Sequence, residues 1–209
     1  MGLIAKETGG SRIPPIEAGS YPAVCYALVD LGDQYSQKFD KCSRQVLIMW
    51  EIPGETITIE GEELPRALSA AYTNSLSKKA KLRTILEGWR GRAFTAEELK
   101  GFDLSKLIGI GCMIGVTHAR KTDGSEYAKI SSVSKLPKGF TVPEPQNTSV
   151  VFDLDEPGAL DKMALLPEWV QNRVRESETY KNMICAPDGS APAKQNDFSA
   201  IDDSEDLPF

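Results

Sequence analysis

The chain contains a succession of β-prone segments, and this feature most constrains its fold. Residues 43–52 alternate, with Val46 and Ile48 on one face of a strand and Leu47 and Met49 on the other. Comparable β-prone composition predicts further strands at residues 20–31, 104–119 and 127–136, and a third strand or a short irregular ladder at residues 65–73. Residues 56–59 are a short β-prone stretch before it. The sequence therefore predicts a mainly β protein.

One helical segment interrupts this succession after the third strand. Residues 77–89 have apolar side chains at helical spacing, with Ser77 as the expected N-cap and Gly91 as the expected end. Thr95 and Glu98 form a capping-box pattern that is expected to open a second short helix. The helical region thus lies between the third and fourth strands.

Two turn signals complete the predicted topology. Pro53-Gly54 is expected to end the strand at residues 43–52, and Asp123-Gly124 to form a hairpin turn before the last strand. The order of three strands, a helix and two strands is typical of the OB-fold, a five-stranded Greek-key barrel. Such barrels commonly bind single-stranded nucleic acid through a basic groove and aromatic stacking platforms.

Composition divides the chain into four predicted regions. Residues 1–19 are expected to form an irregular N-terminal arm, and residues 20–140 the OB-fold domain. Residues 141–185 are interpreted as a linker followed by one amphipathic helix, which begins near Pro167 and places Trp169, Val170 and Val174 on one side. Residues 186–209 are rich in Ala, Pro, Asp and Ser, and we expect a disordered acidic tail.

Composition also predicts the class and location of the protein. Its 209 residues are 41% hydrophobic and 26% charged, which is typical of globular proteins. The N-terminus lacks the apolar core of a signal peptide, so we expect a cytoplasmic protein, in the bacterial host if the chain is phage-encoded. The cysteines are expected to be small buried side chains in a reducing compartment, namely Cys25, Cys42, Cys112 and Cys185.

Motifs of catalysis are missing from the sequence. His118 is the only histidine and is expected to be structural, and no GxSxG, GxxxxGK[ST] or HExxH pattern is present. The densest acidic group, Asp153, Asp155 and Glu156, is interpreted as a solvated segment rather than a nuclease site. We therefore expect a binding protein without enzymatic activity, cofactor or metal.

The charge is unevenly distributed along the chain. Residues 151–209 carry 13 Asp and Glu but only 5 Lys and Arg, whereas residues 1–150 carry 17 acidic and 19 basic residues. The overall net charge of −6 therefore conceals a mildly basic body. Bases are concentrated around residues 78–92, which indicates either a solvated helix face or contact with phosphates.

The candidate DNA-binding residues follow from this concentration and from the aromatic residues near it. Candidates for phosphate contact are Arg66, Lys78, Lys79, Lys81, Arg83, Arg90, Arg92, Lys121 and Lys129. Candidates for base stacking are Tyr35, Phe39, Trp50, Tyr72 and Tyr127. Core packing is the alternative for Trp50, which shares a strand face with Val46 and Ile48, and core packing is favoured for Trp89.

The C-terminus carries the most distinctive motif. The last residues resemble the acidic tip of bacterial-type single-stranded-DNA-binding proteins, through Asp202, Asp203, Asp206, Leu207, Pro208 and Phe209. Leu207 stands where Ile is more usual in that family. A terminal phenylalanine with its carboxylate and neighbouring acids suits a basic pocket on a partner protein.

The body resembles bacteriophage-encoded proteins of the single-stranded-DNA-binding type. The similarity is carried by Tyr72-Thr-Asn-Ser75, Leu82-Arg83, Leu86-Glu-Gly-Trp-Arg-Gly-Arg-Ala-Phe-Thr95, Gly109 with Cys112, Asp123-Gly124, Tyr127-Ala-Lys-Ile130 and Leu136-Pro-Lys-Gly139. The main bacterial family has a shorter helical insertion and different strand sequences, so the body is not assigned to it.

The resemblance implies a protein that coats single-stranded DNA without strong sequence preference during replication or recombination. Its tip would recruit replication or repair enzymes, and the same acids would compete with DNA for the basic body. Removal of residues 201–209 is then expected to tighten DNA binding at low salt. The alternative is a scaffold that recruits such enzymes without binding nucleic acid. Oligomeric state stays open.

Overall fold

The computed structural model describes residues 14–37, 39–59, 61–142 and 144–185. Five strands form its main sheet, namely β1 (Gly19–Ser36), β2 (Lys41–Ile59), β3 (Glu62–Thr73), β4 (Gly111–Arg120) and β5 (Glu126–Lys135). Their order is β3-β2-β1-β4-β5, and all neighbours are antiparallel. A short sixth strand, β6 (Val150–Phe152), pairs with β1 in parallel. The prediction of a mainly β protein is confirmed.

The first two strands are longer than predicted. The turn expected at Pro53-Gly54 is wrong, because β2 continues through these residues to Ile59 with a register shift between Ile52 and Thr56. A bulge at this point accommodates a proline that has no N–H for the ladder. Residues 56–59 therefore belong to β2 and form a two-stranded extension with the start of β3.

The predicted helix is present as α1 (Lys81–Arg90). Ser77 is not its N-cap, because residues 77–80 form a turn in which Ala80 N–H donates to the Ser77 carbonyl, 3.0 Å away. Gly91 ends the helix with a φ of 68°, as expected of a left-handed C-cap. Gly88 lies so close to β5 that an added Cβ would be 2.5 Å from the Val133 carbonyl oxygen.

The segment between α1 and β4 differs partly from the prediction. The capping box is confirmed, since Thr95 N–H donates to Glu98 and Glu98 N–H to Thr95 Oγ1, at 2.9 and 3.3 Å, although it opens only a 3₁₀ turn. The strand expected from residue 104 begins at Gly111 instead. Leu104–Leu107 form a second 3₁₀ turn, in which the Ser105 N–H donates to the carboxylate of Asp103 at 3.0 Å.

Two apolar cores lie on opposite faces of β1 and β2. The inner core contains Val46, Ile48 and Trp50 of β2, together with Leu86 and Trp89 of α1. The ring centroids of Trp50 and Trp89 are 5.8 Å apart. The strand alternation predicted for residues 43–52 is confirmed, but both of its faces are buried.

The second core is formed by the C-terminal part of the chain. We call β6, α2 (Ala159–Lys162), α3 (Glu168–Glu176) and α4 (Glu178–Cys185) the C-terminal layer. Phe152 and Leu154 pack with Leu47 and Met49 of β2, and Val170 and Val174 of α3 complete this core. The amphipathic helix predicted near residues 165–179 is present as α3, but Trp169 is 41% exposed rather than on the buried side.

The cysteines are divided between the core and the surface. Cys25 and Cys112 are buried as predicted, and burial raises the pKa of the Cys25 thiol to about 12. The prediction is wrong for Cys42 and Cys185, which are exposed at the start of β2 and the end of α4. Among the described residues, no helix is both long and apolar enough to cross a membrane.

Candidate nucleic-acid interface

The stacking candidates Trp50 and Tyr72 lie in the inner core. Trp50 is fully buried, and Tyr72 is only 4% exposed at the end of β3, opposite Val46. Burial also raises the pKa of the Tyr72 hydroxyl well above its usual range. A ring that is enclosed on both faces cannot receive a base, so the expectation that these two residues stack on DNA is corrected. For Trp50, the face that it shares with Val46 and Ile48 was visible in the alternation of β2.

The remaining aromatic candidates lie at the surface. Tyr35 and Phe39, at the β1–β2 connection, are 55% and 43% exposed. The Tyr35 hydroxyl donates to the carboxylate of Asp40 at 2.5 Å, and this hydrogen bond raises the pKa of Tyr35. Tyr127 in β5 is partly buried, with the Lys121 ammonium 5.9 Å from its ring centroid. An aromatic ring beside a lysine suits base stacking next to a phosphate better than a ring beside an acid.

The arginine candidates are held by carboxylates of their own chain. Arg83 donates to Glu87 at 2.9 Å, and Arg90 and Arg92 both pair with Glu98. The hydrogen bond from Arg92, helped by the Thr95 N–H and by Arg90, lowers the pKa of Glu98 to about 2. These three arginines therefore already have anionic partners.

Two further observations complete the account of the arginine candidates. The Arg90 guanidinium also lies over the Phe94 ring, 4.4 Å from its centroid. Arg66 donates to the Pro14 carbonyl oxygen at 2.8 Å, far from α1 in sequence. The first contact joins α1 to the loop that follows it, and the second joins β3 to the segment before β1.

The lysine candidates other than Lys121 lie around the start of α1. Lys78 and Lys79 are exposed in the loop before α1, and Lys81 is the first residue of the helix. α1 packs against β5, and Lys129 of β5 lies close enough to Lys81 that burial and this second positive charge lower the pKa of Lys129. We call Lys78, Lys79, Lys81 and Lys129 the lysine cluster. Crowded ammonium groups of this kind attract a polyanion.

The sequence interpretation missed the charged contacts that fix the C-terminal layer. Arg44 pairs with Asp30 of β1, with Asp155 at 3.0 Å and with Asp153 at 3.7 Å. The carboxylates next to it keep the pKa of Arg44 above its ordinary value although burial opposes this. The acidic segment at residues 153–156, interpreted as solvated, is thus partly paired with the sheet.

A buried carboxylate fixes the linker that leads to this layer. Glu51 of β2 is fully buried and accepts hydrogen bonds from the N–H groups of Gln146 and Asn147, both at 2.9 Å, and from the Asn147 side chain at 2.6 Å. Burial, together with the Glu51 charge, raises the pKa of Tyr26 to about 12. The signal in the sequence was that Leu47 and Met49 make the centre of this face of β2 apolar, between Gln45 and Glu51.

The β2–β3 extension of the sheet is acidic. The β2–β3 extension carries Glu55, Glu62 and Glu63, and no Lys or Arg occurs between residues 53 and 65. His118, expected to be structural, makes a hydrogen bond between its Nε2 and the Ile16 carbonyl oxygen at 2.8 Å. Among the described residues, no group of three or more His, Cys, Asp or Glu side chains could hold a metal ion.

The C-terminal tip lies outside the described residues, and so do all its candidate residues, Asp202, Asp203, Asp206, Leu207, Pro208 and Phe209. Comparison with known proteins gives no family assignment, since no protein-family model and no curated protein matches the chain. Arguments about function therefore depend on the residues themselves.

Proposed function

We propose that the chain is a single-stranded-DNA-binding protein that uses the lysine cluster to contact phosphates. The observation that carries this proposal is the concentration of Lys78, Lys79, Lys81 and Lys129 where α1 packs against β5. Tyr127, with Lys121 beside it on the same hairpin, supplies a stacking ring. The protein acts by binding and not by catalysis.

We also assign the sheet to the OB-fold class. Three features support this: β1 pairs with both β2 and β4, α1 lies between β3 and β4 in the chain, and Cα atoms of β3 and β5 approach within 8 Å. Leu68 and Ala70 of β3 pack on the same core as Ile130 and Val133 of β5, which is consistent with a barrel.

The position of the DNA differs from the usual one in this proposal. OB-folds commonly bind oligonucleotides on the face of strands 2 and 3. Here Leu47 and Met49, on the outer face of β2, lie beneath Phe152 and α3 of the C-terminal layer. A strand bound by this chain therefore follows the α1–β5 side.

The decisive experiment is a fluorescence-anisotropy titration of labelled oligo-dT, repeated with duplex DNA and at two salt concentrations. The wild-type protein is expected to bind oligo-dT more tightly than duplex, with an affinity that falls as salt rises. Lys81→Glu combined with Lys129→Glu is expected to weaken this binding at least tenfold at low salt, because each charge reversal also repels phosphate.

Lys162→Glu, on the C-terminal layer, is the matched control and should bind like the wild type. Equal losses in both variants would refute the lysine cluster as the site. If the wild type bound neither DNA form but still captured replication enzymes through residues 201–209, the chain would be a scaffold instead. With DNA binding established, deletion of residues 201–209 tests whether the tail competes with DNA.

A further inference from the structure

We propose that the bound strand runs along α1 from the lysine cluster to Lys135, which is a further phosphate-binding residue. This inference rests on the proposed function and adds the direction and length of the DNA path. Lys135 was not among the sequence candidates, because it lies 43 residues after the last base of the cluster at residues 78–92. Its position relative to α1 is a result of the fold.

The packing of α1 on β5 brings Lys135 to the far end of the helix. Lys81 at the start of α1 lies near Lys129, and Gly88 approaches the Val133 carbonyl oxygen so closely that a Cβ would be 2.5 Å from it. At Gly91, where the helix ends, the nearest side chain is that of Lys135, 3.1 Å from the position of a Cβ. Helix and strand therefore run side by side in the same direction.

This arrangement places lysines at both ends of the helix–strand contact. Lys135 is six positions after Lys129, and a strand rises by about 3.3 Å per residue, which makes the path about 20 Å long. That length fits the lower end of the range of roughly 4–16 nucleotides that one OB-fold covers. Lys135 is exposed at the end of β5, where it is opposite Cys112 of β4.

The surface between the two ends has no acidic side chain on β5. Residues 130–134 are Ile, Ser, Ser, Val and Ser, and the hydroxyl groups of Ser131 and Ser134 donate to carbonyl oxygens of β4. On α1 the single acid is Glu87, and Arg83 pairs with it. A phosphate backbone that follows this path therefore meets no unpaired carboxylate of α1 or β5 between Lys129 and Lys135.

Other described surfaces are less suitable for a polyanion. The outer face of β2 is covered by the C-terminal layer, and the β2–β3 extension carries glutamates without a neighbouring base in sequence. At the β1–β2 connection, Tyr35 is bound to Asp40, and the Asp33 carboxylate accepts from Thr179 of α4. The α1–β5 side carries Lys78, Lys79, Lys81, Lys129 and Lys135.

The test is the salt dependence of oligo-dT binding by Lys135→Glu and Lys135→Gln. Each is expected to bind roughly three- to tenfold more weakly than the wild type at low salt, and the slope of log K against log salt should fall by about 0.7 for the lost phosphate contact. Lys162→Glu serves as the control that changes a lysine on the opposite layer. Thermal melting verifies that all variants are folded.

The outcomes separate this inference from the function on which it rests. If Lys81→Glu with Lys129→Glu weakens binding but both Lys135 variants match Lys162→Glu, the path along α1 is refuted and the lysine cluster stands. A wild-type protein that binds no oligo-dT would refute the proposed function and the path together. A reduced slope for Lys135→Gln, with unchanged melting, supports the path.

Discussion

On one face of β2, Trp50 packs against Trp89 of α1, whereas on the other face Leu47 and Met49 pack beneath Phe152 of the C-terminal layer. Both contacts are apolar and both are buried. They differ in what lies outside them, because α1 begins next to a lysine cluster, while residues 150–185 carry seven Asp and Glu against four Lys and Arg. Closure of the two faces thus leaves one side basic and the other acidic.

Because both apolar faces of β2 are covered by other elements, neither face can bind a ligand. A phosphate backbone is repelled by the acidic layer and attracted by the lysines beside α1. The site of the proposed function is therefore set by the elements that cover the sheet, and the strand residues themselves supply the two cores. Four substitutions test how separate the two sides are.

The largest effect is expected from Phe152→Ala, which removes a ring of the C-terminal layer that is 1% exposed in the core beneath α3. The cavity should lower the free energy of unfolding by about 3–5 kcal/mol, as measured by urea denaturation. Val151→Ala is the control in the same strand, since Val151 is 40% exposed, and should cost less than about 0.5 kcal/mol. Oligo-dT affinity of the folded Phe152→Ala variant should be unchanged; a loss would contradict the separation of the two sides.

Glu51→Ala is expected to have the next largest effect. It leaves the N–H groups of Gln146 and Asn147, and the Asn147 amide, without their buried acceptor. A loss of about 2–3 kcal/mol in unfolding free energy follows from donors that lose a charged partner. Glu55→Ala, further along β2, is the control. Equal stability of the two variants would show that the linker is not held by Glu51.

Gly88→Ala tests the contact between α1 and β5. The new methyl group would meet the Val133 carbonyl oxygen at 2.5 Å, so the helix must move away from the strand. Strain of about 1–3 kcal/mol is partly offset by the higher helix propensity of alanine, about 1 kcal/mol. Thr84→Ala, at an exposed position of the same helix, carries the propensity change alone and should be neutral or stabilising. A Gly88→Ala variant as stable as Thr84→Ala would contradict the close approach.

Glu98→Gln should have the smallest effect, and one that depends on pH. Pairing with Arg92 and Arg90 lowers the pKa of Glu98 from 4.5 to about 2, so its contribution to stability is complete above about pH 4.5 and is lost as the pH falls through 2. The melting temperature of the variant should be lower than that of the wild type at pH 7, and the difference should shrink as the pH is lowered to 2. Glu97→Gln, whose side chain is 80% exposed, is the control. A difference that grew on acidification would have the wrong sign.

Local sequence patterns predicted much of the secondary structure. The alternation of residues 43–52, the glycine at 91, the Thr95–Glu98 capping box and the Asp123-Gly124 turn depend on neighbours a few residues apart, and each is present in the structure. The patterns failed where distant backbone decides the conformation. Pro53-Gly54 is a typical turn sequence, but here it lies in a bulge of β2, because the residues on both sides of it pair with β3.

The candidate site shows the same division. Composition directed attention to the bases near α1, because clustered charge is visible in any linear window. It could not show that Arg83 pairs with Glu87 and Arg92 with Glu98. Nor could it show that Lys129 of β5 lies near Lys81. Nor could it show that Tyr72 is enclosed, because its polar neighbours Thr73 and Asn74 are adjacent only in sequence.

What the sequence by itself determined is the strands, the helix between the third and fourth of them, and the excess of base in the body. These properties arise from periodicity and from charge counted along the chain. The tertiary structure alone decided that residues 150–185 cover β2, that Glu51 holds the linker, and that Lys135 lies beside Gly91. Each of these joins residues more than 40 positions apart, and burial and pairing at such separations depend on the whole fold.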